Sequence, residues 1–160
     1  MATASAGILM YRRAGSGIEV LLVHPGGPYW GNKDAGAWSI PKGEYGPDED
    51  AEAAARREFA EELGIEAAGR LEPLGEVRQH GGKLVTAFTL EGDLDATAIR
   101  SNQFEMEWPP RSGRLCSFPE VDRAAWLTLA EAREKIIAGQ APLLDRLAAK
   151  LGGGPGAGRA

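Results

Sequence analysis

The chain has 160 residues and a mass of 17.0 kDa, a length that suits one domain able to bury most of the surface its unfolded form exposes. Apolar residues at 43% and charged residues at 26% are ordinary globular usage, which excludes a disordered body or a fibrous repeat. The net charge of −5 is local, because residues 43–65 hold eight acids and two bases while the rest of the chain carries a net +1; that points to a cation site and away from DNA binding.

No run approaches the ~18 consecutive apolar residues of a membrane span, and the first residues lack the basic start and apolar run of a secretory signal. A soluble, cytoplasmic protein without a membrane partner is expected. The single cysteine, Cys116, supplies neither an intrachain disulfide nor a metal or redox pair.

Along the chain, residues 5–12 and 18–24 are Ile/Leu/Val-rich runs separated by Ala14-Gly15-Ser16-Gly17, the pattern of two buried strands joined by a turn. Residues 25–43 are rich in glycine, with Pro25, Pro28, Pro41 and the aromatics Tyr29, Trp30 and Trp38, and predict a long functional loop. Residues 48–64 predict a helix, with Pro47 and acids suited to its positive end and Gly64 as its stop. Strands follow at 70–79, 83–91 and 102–108. The first two form a hairpin around His80-Gly81-Gly82, and Pro73 makes the first irregular. After a short strand at 124–127, Thr128 and Glu131 make a capping box that opens a helix running to Ala138, stopped by Gly139. Pro142 suits the first turn of a last helix that lays Leu143, Leu144, Leu147, Ala148 and Leu151 on the sheet. One domain over 1–151 and a Gly-rich tail over 152–160, too poor in apolar residues to order itself, complete the division.

On a 3.6-residue repeat Glu58, Glu61 and Glu62 span about 100° of one helix face. Carboxylates so spaced repel one another. They suit a hard divalent cation, which takes oxygen ligands and leaves positions open to phosphate oxygens. Metal-assisted phosphoryl or diphosphate cleavage is the chemistry suggested; the plainer reading of the glutamates alone is a solvated acidic helix.

Reading outward, Gly43, five residues, Glu49, seven residues and then Arg57-Glu58-Phe59-Ala60-Glu61-Glu62-Leu63-Gly64-Ile65 resembles the signature box of the Nudix hydrolases at every defined position. The resemblance implies an α+β fold, a Nudix-type α/β/α sandwich around a central mixed sheet. It implies Glu58 and Glu62 as metal ligands, Glu61 as ligand or water activator, Mg2+ (or Mn2+) as cofactor, and a nucleotide-type small-molecule substrate, a nucleoside diphosphate linked to another group. Arg57 and Glu49 are the implied brace that keeps the glutamates aimed, with Gly43 and Gly64 as structural support. Trp38-Ser39-Ile40-Pro41-Lys42-Gly43 is similar to the branch that includes diadenosine tetraphosphate hydrolases, which puts dinucleoside polyphosphates and nucleoside triphosphates first among substrates.

Around the box, Lys42 and Lys83 are expected to reach substrate phosphates, and an aromatic, Trp38 or else Tyr29 or Trp30, to stack on a ring. Alternation in 102–108 sets Glu105 and Glu107 on one face. Because many Nudix relatives use a glutamate outside the box, Glu107 is expected to join Glu61 and Arg57 in the catalytic set, ahead of Glu105 and Glu120. His24 and His80 are expected to be structural or solvent-exposed. The competing class is a Nudix-fold nucleotide sensor or RNA-binding module without turnover; such modules commonly lose box glutamates, and this chain keeps them.

Overall fold

The computed structural model describes residues 4–15 and 17–152, so the expected tail lies, past Gly152, outside the described residues. In chain order the elements are β1 (Ala4–Ala14), β2 (Gly17–Pro25), β3 (Lys42–Glu44), α1 (Ala51–Leu63), β4 (Glu72–Arg78), β5 (Leu84–Glu91), β6 (Gln103–Glu107), β7 (Leu115–Pro119), β8 (Val121–Thr128), α2 (Leu129–Lys135) and α3 (Ala141–Lys150). The main sheet runs β4-β5-β1-β2-β8, with β3 paired to the start of β1, while β6 and β7 form a separate two-stranded sheet. The pairing of β1 with β5 is parallel and the other pairings are antiparallel, so the main sheet is mixed as expected.

Side chains alternate across a strand, and the apolar runs of β1 and β2 are continuous because both faces are covered. Ile8, Met10, Leu21 and Val23 meet Ala54, Ala55, Phe59 and Leu63 of α1 on one face. Leu9, Tyr11, Val20 and Leu22 meet Leu143, Leu144 and Leu147 of α3 on the other. Each such fully buried leucine contributes roughly 1.5–3 kcal/mol of transfer free energy, so these two clusters hold the sandwich together.

Helix α1 begins at Ala51 instead of Asp48. Asp50 caps it by accepting the Ala53 N–H at 3.1 Å, which leaves Glu49 in the loop. Its stop is as expected: Gly64 adopts φ 72° and donates its N–H to the Ala60 carbonyl, a left-handed conformation that favours glycine. The Thr128–Glu131 capping box is present, but α2 ends at Lys135 and not at Ala138. Residues Ile136 and Ile137 turn extended because their backbone pairs with the loop, Ile137 N–H donating to the Trp38 carbonyl at 2.8 Å and Trp38 N–H to the Lys135 carbonyl at 2.9 Å. The hairpin of β4 and β5 carries its irregularity between Pro73 and Gly75. Strands β3 and β7 carry no strand pattern in the sequence: the first is three largely polar residues, and the second is defined by its pairing with β6. No helix among the described residues is long and apolar enough to cross a membrane.

Candidate active site

The last turns of α1 carry Glu58, Glu61 and Glu62 to one wall of a cleft of about 650 Å3, and Ser5, Lys42, Gln79 and Lys83 stand on its sheet side. The approach of helix to strand is close: a Cβ on Gly43 would lie 1.9 Å from Glu58 Oε1, so only glycine leaves room for that carboxylate.

Arg57 organises the acids. Its Nε and Nη2 donate to the two carboxylate oxygens of Glu49 at 2.8 and 3.0 Å, while Nη1 donates to Glu58 Oε2 at 2.7 Å and Glu61 Oε2 at 3.2 Å. The fork holds the Glu49 carboxyl below its usual range. Burial pushes Glu58 upward, opposed by Arg57. Glu62 is pushed up to about 8, first by burial and then by the neighbouring Glu58 and Glu120, with Lys42 opposing. Lys42 is itself lowered, by burial and then by Lys83.

This donor set is all oxygen, partly desolvated and short of positive charge, and therefore fits a hard divalent cation. Among the described residues no three acidic side chains stand ready at coordination spacing, because Arg57 draws Glu58 and Glu61 to its own guanidinium.

Several expected residues meet here. Lys42 and Lys83 line the cleft, with Lys83 Nζ 3.5 Å from Glu44 Oε2. Trp38 does not reach it: the ring is 5% exposed, its indole N–H donates to Asp34 at 2.8 Å, and its edge meets His24 at 5.2 Å between centroids. Core packing and the pairing with Ile136 keep it out of the cleft lining. Trp30, 41% exposed, is the aromatic that lines the cleft, whereas Tyr29 packs edge-on against Trp108.

Glu107 also falls outside. It lies on the exposed face of β6, where its Oε2 accepts the Gly113 N–H at 2.7 Å and closes the β6–β7 hairpin. Glu105 shares that exposed face. The glutamate beyond the box that lines the cleft is Glu120, set there by backbone bonds from Asn102 N–H to the Glu61 carbonyl at 2.8 Å and from Glu120 N–H to the Asn102 carbonyl at 2.9 Å. No periodicity marks it; its one signal is its place between two strands. His24 is buried and structural, its Nδ1 2.9 Å from Asp122 and its Nε2 2.6 Å from the Lys33 carbonyl. The side chain of His80 lies outside the described residues.

A family model described as NUDIX domain matches residues 1–147. No curated protein sequence matches the chain. Among solved structures, a Caenorhabditis elegans Ap4A hydrolase binary complex is similar at 24% identity, covering 95% of this chain and 99% of that one with a TM-score of 0.64. The NUDIX domain of Shewanella oneidensis NrtR complexed with ADP ribose is similar at 17% identity over 94% and 89%, with a TM-score of 0.65. The C-terminal domain of mouse MUTYH, in complex with human PCNA, is similar at 22% over 98% and 93%, with a TM-score of 0.58. These likenesses are likenesses of fold. With the family model spanning most of its length, the chain belongs to the Nudix family.

Proposed function

We propose that the protein hydrolyses a phosphoanhydride bond in a nucleoside diphosphate linked to another group, with Mg2+ (or Mn2+) as cofactor and dinucleoside polyphosphates or nucleoside triphosphates as substrates. The observation that carries this reading is the convergence of Glu58, Glu61, Glu62 and Glu120 on one cleft that Lys42 and Lys83 also line. The family is generally divalent-metal dependent. Nucleotide ligands in the printed descriptions of two structural neighbours, Ap4A hydrolase and an ADP ribose complex, support a nucleotide-type substrate.

When bound, the cation supplies Lewis-acid polarisation of a phosphate oxygen and lowers the pKa of attacking water. Glu58 and Glu62 are the residues that would hold it. Arg57, tied to Glu49, keeps their helix turn and loop in register. Water oxygen bonds to phosphorus, the bridging P–O bond breaks, and the leaving phosphate departs as an anion. Of the other carboxylates in the cleft, Glu44 faces Lys83 at 3.5 Å, and Glu61 and Glu120 are the ones to take the water proton. Lys42 and Lys83 offset the charge of the phosphate chain.

The test is product analysis in Mg2+ and in Mn2+ over diadenosine polyphosphates, nucleoside triphosphates, ADP-ribose, nucleoside diphosphate sugars and capped RNA, with Glu62→Gln as control. Cleavage of the first two classes that disappears in the variant is the expected result. Tight nucleotide binding with no turnover in either metal overturns it in favour of a sensor.

A further inference from the structure

The sheet side of the cleft carries polar groups that the acidic box does not use. Ser5 on β1 is fully buried, and its hydroxyl is the one buried side-chain polar atom without a hydrogen-bond partner among the described residues. It lines the cleft. Buried polar groups in folded proteins are nearly always paired, and an orphan destabilises the fold, so the Ser5 hydroxyl is a group that a ligand would satisfy.

A second group is aimed from behind. Gln140 is fully buried and accepts the Ile40 backbone N–H through Oε1 at 2.9 Å. A backbone N–H can only donate, so the orientation of this amide is forced. Its Nε2 then donates to Gln79 Oε1 at 2.7 Å and to Ser39 Oγ at 3.3 Å. With its acceptor occupied, Gln79 has Nε2 left, which has no partner among the described residues, and Gln79 lines the cleft. Register puts these groups together: Ser5 is opposite Val85, Val85 is opposite Val77, and Lys83 and Gln79 lie two positions from those valines, hence on the same sheet face.

We propose that the Ser5 hydroxyl and the Gln79 Nε2, the latter positioned by Gln140, form a donor subsite for phosphate oxygens of a polyphosphate chain. The proposal rests on the hydrolase reading above and names the residues beyond the acidic box that hold its substrate's phosphate chain. Lys42, Lys83 and the Gln79 Nε2 are N–H donors, and the Ser5 hydroxyl can donate as well; Glu44, the acceptor beside them on this side, faces Lys83 at 3.5 Å. Phosphate oxygens are acceptors only, whereas the edge of a nucleobase presents donors and acceptors in alternation. These four donors therefore match the acceptor oxygens of a phosphate chain. Gln140 touches no ligand; it is a positioning residue whose effect passes through Gln79.

The test uses the full chain in Mg2+ buffer, with binding of inorganic tripolyphosphate and of adenosine measured by titration calorimetry, and the side-chain amide resonances followed by nitrogen-edited NMR. It needs no turnover, so its failure is separable from failure of the hydrolase reading. Ser5→Ala and Gln79→Met are each expected to weaken tripolyphosphate binding about 3- to 10-fold and to leave adenosine binding unchanged. The ligand-free melting temperature of Ser5→Ala is expected to be equal to or above that of the parent. The Gln79 amide resonance should shift on adding tripolyphosphate, and in Gln140→Met it should stop responding; should that variant fail to fold, the other two decide. Unchanged tripolyphosphate binding in both variants, a loss confined to adenosine, or a lowered melting temperature in Ser5→Ala would each overturn the proposal.

Discussion

Gly43 and Glu58 occupy what is in effect one space: a Cβ added to the glycine would stand 1.9 Å from Oε1 and 2.1 Å from Cδ of the glutamate. The strand that carries Gly43 is only three residues long, yet its contact with α1 decides where the Glu58 carboxylate sits. Gly43→Ala is therefore expected to displace Glu58 and lower kcat on the order of 100-fold, a misplacement effect. Steady-state kinetics beside far-ultraviolet circular dichroism checks it; wild-type turnover in the folded variant would show that the carboxylate need not be where it stands.

Arg57 binds Glu49 through two nitrogens and Glu58 and Glu61 through the third. A lysine keeps the charge but cannot reproduce the fork. Arg57→Lys is expected to fall roughly 10- to 100-fold in kcat with a small change in melting temperature. Equal losses in Arg57→Lys and Arg57→Ala, with only small changes in melting temperature, are the expected signature of orientation; full rescue by lysine would reduce Arg57 to a point charge.

Glu62 gives a pH dependence with a definite sign. Its carboxyl is pushed up to about 8 in the folded protein by burial and by Glu58 and Glu120, above its ordinary value near 4.5. A group that binds its proton more tightly when folded stabilises the fold below its unfolded pKa and loses that contribution as pH rises through the folded one. In chelator the melting temperature should fall from pH 5 toward pH 9, and Glu62→Gln should flatten the slope. Added Mg2+ should raise stability most at high pH, because its ligands must be deprotonated. Thermal melts across pH with and without Mg2+ decide, and a metal-free stability that rises over this range contradicts the burial account.

The two glutamates outside the box separate cleanly. Glu120 lines the cleft, whereas Glu107 closes a hairpin by accepting the Gly113 N–H. Glu120→Gln is expected to lower kcat at least on the order of 10-fold, the scale of one proton-transfer or ligand group, and Glu107→Gln to leave it unchanged. The reverse order of effects in paired assays would return the role to β6.

What was legible in the sequence was local. The repeat and glycine stop of α1 are encoded within one segment, and so is the spacing that carries Arg57 and its three following carboxylates onto one face; its start was not, because the cap falls to Asp50 and not to the acids before it. What was not legible depends on contacts between distant segments. Trp38 looked like a stacking ring, but its backbone pairs with Ile136 and its indole finds Asp34, which draws it into the core and leaves Trp30 at the cleft. Glu120 reaches the acids through Asn102 and the Glu61 carbonyl, a route no alternation pattern displays. Ser5 and Gln79 matter because β1, β4 and β5 align them, and Gln140 because it meets Ile40 across 100 residues of chain.

The most direct test of the central claim is turnover of diadenosine tetraphosphate, ATP and ADP-ribose in ¹⁸O-labelled water with Mg2+, comparing the parent with Glu58→Gln and Glu62→Gln. The account predicts label in one phosphate product, preference for the polyphosphates, and loss of turnover by orders of magnitude in both folded variants. Near-parental turnover in both variants would contradict it, because the hydrolysis would then not depend on the carboxylates that α1 brings to the cleft.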